Sequence, residues 1–297
     1  MKRYNVGEVV TAMVTPLDEN LQIDFAQVEK LVEHLAQNGS DAVVVAGTTG
    51  ESPTLTHEEE LELLKVVKAK IKALNSSMQI IMGAGSNSTA TAIEMTKKVS
   101  KAGADAILSV VPYYNKPSQA GLIAHFETIA NSSDLPIMLY NIPSRTGINM
   151  EPETVLKLAK KHHNIFAIKQ SNGNLDLVTE ILQDAPEGFL LYSGDDSLTL
   201  PMLSLGATGV VSVASHIIGS QIKDMIGAFK QGDIQKATEL HHKYYPVFKK
   251  IFMAPNPIPI KAVLEAKGII NDYVRLPLTP LTQLEKQNLL SCIDFAL

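Results

Sequence analysis

A single cysteine, Cys292, stands in the whole chain, so no intramolecular disulfide can form. No cysteine–histidine pattern has the spacing of a zinc site. No basic block is present either. The 26 lysines and arginines are spread among 31 aspartates and glutamates, and the net charge of −5 argues against nucleic acid and anionic membrane as partners. No apolar run approaches the roughly 18 residues that a membrane helix needs. Lys2 and Arg3 are not followed by an apolar signal core, because Asn5, Gly7 and Glu8 interrupt it. What is present is a chain of 297 residues, 45% apolar and 19% charged, with material for a large core. Disorder, collagen and coiled coil are excluded, and a cytoplasmic, metabolic-type protein is expected.

Short β-branched runs alternate with amphipathic stretches along most of the sequence. The runs are Val9–Val14, Ala42–Ala46, Gln79–Ala84, Ala106–Val111, Pro136–Asn141, Ile165–Lys169, Phe189–Ser193 and Gly209–Val213. Most are continuously apolar, which suits strands buried on both faces of a parallel sheet. Between them, Phe25, Val28, Leu31, Val32 and Leu35 follow a helical period. Thr56-His57-Glu58-Glu59 is a capping box opening a helix that carries Leu61, Leu64, Val67 and Ile71. Gly39, Gly103 and Gly206 each precede a strand-like run, as a left-handed helix stop does before a tight turn. Eight strands with eight following helical segments give a (β/α)8 TIM barrel over residues 1–221. A doubly wound sheet is the alternative, but no Gly-x-Gly-x-x-Gly follows the first run, so dinucleotide binding lacks its signature. Residues 222–297 read as a helical C-terminal domain with breaks at Pro255–Pro259 and Pro277–Pro280.

In such a barrel the chemistry gathers at the C-terminal ends of the strands. Gly47-Thr48-Thr49-Gly50-Glu51 follows the second strand, Pro112-Tyr113-Tyr114-Asn115 the fourth, and Ser193-Gly194-Asp195-Asp196 the seventh. Tyr140-Asn141 closes the fifth, Lys169 the sixth, and Val211-Ser212 the eighth. Lys169 ends an apolar strand, where alternation places it inside the barrel or at its mouth. Burying an unpaired ammonium there favours the neutral amine, which attacks a ketone to form a Schiff base. The alternative is a structural lysine paired with Asp195 or Glu51. Tyr140, one strand over, can relay protons or simply sit as an amphipathic rim residue. Thr48-Thr49-Gly50 offers backbone N–H groups and two hydroxyls to a carboxylate, or is an ordinary turn. Arg145 can clamp a second carboxylate, or lie on the surface. Asp195 and Asp196 argue against a phosphate pocket. No histidine lies at a strand end with carboxylate neighbours, so no metal is expected.

These motifs, together with Tyr140-Asn141-Ile142-Pro143-Ser144-Arg145-Thr146-Gly147, Ile168-Lys169 and Gly209-Val210-Val211-Ser212, make the chain resemble a known family. It is the dihydrodipicolinate synthase and N-acetylneuraminate lyase family of pyruvate-dependent class I aldolases. Arg145 and Asn256-Pro257-Ile258-Pro259-Ile260-Lys261 place the resemblance on the synthase side. The resemblance implies pyruvate and L-aspartate 4-semialdehyde as substrates, no cofactor, and 4-hydroxy-tetrahydrodipicolinate as product, on the way to diaminopimelate and lysine. It implies that Lys169 forms the imine with pyruvate. Tyr140 relays protons through Thr49 to Tyr114, which reaches in from a neighbouring subunit. Thr48 and Thr49 hold the pyruvate carboxylate, Arg145 binds that of the semialdehyde, and backbone at Gly194 and Val211 lines the pocket. A homo-oligomer follows, with a dimer as the smallest active unit and a dimer of dimers as the family's habit.

Two departures stand out. Gln170 follows Lys169 where the family usually has an acidic residue. The lysine feedback site of inhibited members maps to Ser52, Pro53, His57, Glu60, Asn87, Thr91 and Tyr113. Glu60 and Thr91 replace a histidine and a glutamate common in those members, so lysine inhibition is expected to be weak or absent.

Overall fold

The computed structural model describes residues 4–296. Its strands are β1 (Val9–Ala12), β2 (Ala42–Val45), β3 (Gln79–Gly83), β4 (Ala106–Val110), β5 (Ile137–Asn141), β6 (Ile165–Gln170), β7 (Leu190–Ser193) and β8 (Gly209–Ser212). Between and after them come α1 (Phe25–Gln37), α2 (His57–Ala73), α3 (Thr89–Ala102), α4 (Gln119–Ala130), α5 (Pro143–Thr146) and α6 (Pro152–Lys161). The series continues with α7 (Leu175–Asp184), α8 (Thr199–Ser204), α9 (Ser215–Lys230), α10 (Ile234–Lys250), α11 (Ile258–Ala266) and α12 (Gln283–Ile293). The strands close into one barrel in chain order, so the (β/α)8 reading holds. Every apolar run houses a strand, because a strand covered on both faces has no reason to alternate.

The chain divides into two compact units. The first runs from Ile80 to Val211 and includes residues 4–7. Its strands pair in parallel, and the register sets Tyr140 opposite Lys169 and Lys169 opposite Tyr192. Parallel pairing brings the C-terminal ends of these strands to one rim. Gly103 and Gly206 adopt the left-handed conformation expected of them, at φ 83° and 99°.

The second unit holds Glu8–Gln79 and residues 212–296. There β1 pairs in parallel with β2. Val28, Leu31, Val32 and Leu35 form the buried stripe of α1, and Gly39 ends the turn at φ 83°. The capping box of α2 is made in both directions, with Thr56 N donating to Glu59 at 2.8 Å and Glu59 N to Thr56 Oγ1 at 3.2 Å. The buried face of α2 differs from the expected one. It carries Glu60, Leu63, Leu64, Val67 and Ile71, while Leu61 is half-buried. Residues 60, 63, 64, 67 and 71 keep the helical period, so the apolar leucine pair fixes the face and draws a carboxylate inward with it. After β8 the regular elements are helices only; the first proline break runs into the start of α11, which contains Pro259, and the second lies before α12.

Candidate active site

In the first unit β6 is buried along its whole length. Alternation sends Lys169 to one face and Gln170 to the other. The lysine side chain is 7% exposed, and its Nζ lies 4.3 Å from the centroid of the Tyr140 ring. No carboxylate pairs with it among the described residues. Both partners that could have made it a structural lysine are engaged elsewhere. Asp195 caps its own turn, accepting from Ser197 N at 3.0 Å and Ser197 Oγ at 2.9 Å. Glu51 is bound to Lys261. Lys169 is therefore a buried amine resting on a phenol ring, the π face partly offsetting its lost hydration.

Gly194 explains how the lysine stem fits. A Cβ at this position would lie 1.8 Å from Ser171 Oγ and 2.9 Å from Lys169 Cε. Its amide donates to Gln170 O at 2.8 Å, which carries the β6–β7 ladder past the strand ends. Val211 is buried in β8, one residue beyond the Ser193–Val210 pairing. On the opposite face of the rim, Asn141 Nδ2 donates to Gln170 Oε1 and to Asn149 Oδ1, each at 2.8 Å. Met150 N returns a bond to Asn141 Oδ1 at 3.0 Å. This amide cluster ties together the two ends of the loop that carries Arg145. Gln170 thus sits away from the lysine amine, its side-chain oxygen bonded to the neutral amide of Asn141, at the position where the resemblance implies an acidic residue.

Two residues expected at the site are exposed in the chain. Tyr114 is 88% exposed, with a left-handed φ of 73°, and its phenol points to solvent. Arg145 is exposed on the short α5, and its guanidinium makes no hydrogen bond or ion pair among the described residues.

In the second unit β2 runs into Gly47-Thr48-Thr49-Gly50-Glu51. Ala46 enters the turn at φ 51° and Glu51 leaves it at φ 60°. Gly50 is closely packed, since a Cβ there would meet Ala46 N and Met13 O at 3.2 Å. Thr15 Oγ1 donates to Gly50 O at 2.7 Å. Thr48 is half-buried and Thr49 buried. Asn256 Nδ2 donates to Thr49 Oγ1 at 2.8 Å. Behind the turn Lys261 Nζ, fully buried, donates to Glu51 Oε1 at 2.5 Å and to Tyr273 O at 2.7 Å. Arg275 N donates to Glu51 Oε2 at 3.1 Å, and the Arg275 guanidinium grips Glu59 with two nitrogens. Burial pulls the Lys261 ammonium below its ordinary range, and the Glu51 carboxylate opposes that pull. His216 is another buried group spent on structure. Burial lowers its imidazole to about 4, Nδ1 donates to Val213 O at 2.8 Å, and Val14 N donates to Nε2.

The profile of the Dihydrodipicolinate synthetase family matches residues 5–296. The chain belongs to that family. It is 52% identical to 4-hydroxy-tetrahydrodipicolinate synthase 1 of Halalkalibacterium halodurans, covering 96% of this chain and 95% of that one. It is 54% identical to the 4-hydroxy-tetrahydrodipicolinate synthase of Microcystis aeruginosa over 93% of this chain and 92% of the relative. The crystal structure of the family member from Cyanidioschyzon merolae, with lysine bound, superposes with a TM-score of 0.95 at 51% identity, over 98% of both chains. In the sequence Asn256 and Lys261 stand only as parts of a motif, with no role attached. Their partners lie some two hundred residues away, a separation that no local pattern reveals.

Proposed function

We propose that this family member condenses pyruvate with L-aspartate 4-semialdehyde to give 4-hydroxy-tetrahydrodipicolinate, in lysine biosynthesis through diaminopimelate. The observation that carries the reading is Lys169, buried without a counter-ion, stacked on Tyr140 and given room by Gly194. The Lys169 Nζ lone pair attacks the pyruvate ketone, and the carbinolamine loses water to form the protonated imine. Removal of a methyl proton gives the enamine, whose carbon adds to the aldehyde. Tyr140, on whose ring the lysine amine rests, moves these protons through its hydroxyl. The semialdehyde's amine then displaces Lys169 in a transimination that closes the ring and frees the enzyme. No step calls for a resident cofactor.

The Thr48–Thr49 turn holds the pyruvate carboxylate and Arg145 that of the semialdehyde, with Gly194 and Val211 lining the pocket. The unengaged Arg145 guanidinium supports its part of this assignment. Tyr114 completes the relay in a neighbouring subunit, so a dimer is the smallest complete enzyme and a dimer of dimers the expected assembly. Its exposure and its left-handed backbone, which thrusts the phenol off the surface, support this. Residues 1–221 form the catalytic domain in this reading, and residues 222–297 a helical domain behind the Thr48–Thr49 turn. The cytoplasm is the expected site of action, and among the described residues no helix is long and apolar enough to cross a membrane.

Borohydride reduction in the presence of pyruvate tests the imine, with the mass adduct mapped to Lys169. Pyruvate consumption is then followed with the semialdehyde or with N-acetylmannosamine. Turnover with the semialdehyde alone is the expected result. Turnover only with the sugar would transfer the chain to the lyase reaction, and absence of an adduct would leave a keto-acid-binding barrel without catalysis.

A further inference from the structure

Two motifs about two hundred residues apart are cross-linked inside the second unit. Asn256 Nδ2 donates to Thr49 Oγ1 at 2.8 Å, and Lys261 holds Glu51 at the far end of the same turn. The ion pair fixes where the turn lies. The amide does something more specific.

A hydroxyl has one proton, so an oxygen that accepts from an amide must point that proton elsewhere. Thr49 is only 3% exposed, and among the described residues nothing accepts from it. A buried donor left unspent is costly unless a ligand uses it. From this geometry we infer that Asn256 is a positioning residue. By occupying the acceptor side of Thr49 Oγ1, it commits the hydroxyl to act as a donor toward an incoming carboxylate. The inference rests on the assignment of Thr49 to pyruvate made above, and a hydroxyl so committed does not also pass protons from Tyr140 to Tyr114. It also gives the helical segment after β8 a part in the chemistry. The amide is needed because a carboxylate of the same shape at position 256 could only accept, and would draw the Thr49 proton away from the ligand.

The test is borohydride trapping of pyruvate at subsaturating concentration, with steady-state KM values and melting temperatures measured alongside. Asn256→Ala should slow trapping and raise the pyruvate KM about ten- to a hundredfold, the range for a hydrogen bond to a charged group. The KM for the semialdehyde should not move. Asn256→Asp should trap more slowly still. In a Thr49→Val background both Asn256 substitutions should have no further effect, because the group they act through is gone. Equal losses with and without the Thr49 hydroxyl would overturn the inference, since Asn256 would then act through charge or fold. So would an Asn256→Asp variant that traps better than Asn256→Ala, because Thr49 would then be the donor in this bond. If Asn256→Ala does not fold, the isosteric Asn256→Asp decides alone: trapping at the wild-type rate overturns the inference. A wild-type enzyme that forms no pyruvate adduct overturns the proposed function itself. A trapped wild type with equally trapped Asn256 variants overturns only the role of Asn256.

Discussion

Glu60 gives the sharpest stability prediction. It is 6% exposed, has no side-chain partner among the described residues, and shares the buried face of α2 with Leu63, Leu64 and Val67. Burial, followed by the neighbouring Glu59 charge, raises its carboxyl to about 8 from an ordinary 4.5. An acid raised in the folded state carries no penalty below the unfolded value, and loses stability as pH climbs from there through the folded value. At pH 7 the difference is roughly 2.5 units, or about 3 kcal/mol at some 1.4 kcal/mol per unit. Above pH 8 it levels off near ~5 kcal/mol. Glu60→Gln keeps the shape and removes the ionisation. Its melting temperature should match wild type within about a degree near pH 5 and exceed it by on the order of 5 °C at pH 8. Scanning calorimetry from pH 5 to 8.5 measures both curves. A gap that stays constant with pH, or a glutamine variant that melts lower at pH 8, would refute the account.

Three further outcomes follow from the site. Gly194→Ala puts a methyl group into Ser171 and the Lys169 stem, so pyruvate trapping should fall at least tenfold while stability drops by about 1–3 kcal/mol; trapping at the wild-type rate would show that Lys169 does not need that space. The two buried lysines should part company under the same substitution. Lys261→Met strands Glu51 and should cost about 3–5 kcal/mol in denaturant unfolding, whereas Lys169→Met should abolish the pyruvate adduct at little cost in stability. Sub-millimolar lysine should leave steady-state turnover unchanged, because Glu60 and Thr91 stand where inhibited members of the family carry a histidine and a glutamate; clear inhibition would show that the remaining residues suffice.

The barrel is legible because each strand is buried on both faces and each helix on one, so the two periods alternate visibly along the chain. Turn chemistry is legible where one conformation demands one residue, as at Gly39, Gly103 and Gly206. The α2 face shows where such reading stops. Leu61 and Leu64 fit the helical period as well as Leu63 and Leu64 do, and only the packing of the second unit decides that Glu60 goes inward and Leu61 outward. Tyr114 marks a second limit, since its motif is plain while its phenol lies exposed in the chain and its proposed use calls for a neighbouring subunit.

Lys169 and Lys261 show why pattern alone could not settle the chemistry. Both follow apolar residues, both are buried, and either would pass for a catalytic amine or a structural cation. The difference lies in what faces each of them. Lys261 meets Glu51 and the Tyr273 carbonyl, so its charge is matched, and removing it would leave a carboxylate stranded in the core. Lys169 meets a phenol ring and a glycine, which supply space and a π face but no counter-charge. A fold under selection for stability alone has no reason to keep an ammonium in that second environment, where an apolar residue would pack at lower cost. The unmatched lysine is therefore the residue on which the proposed chemistry rests, since Glu51, a partner it could have had, is bound to Lys261.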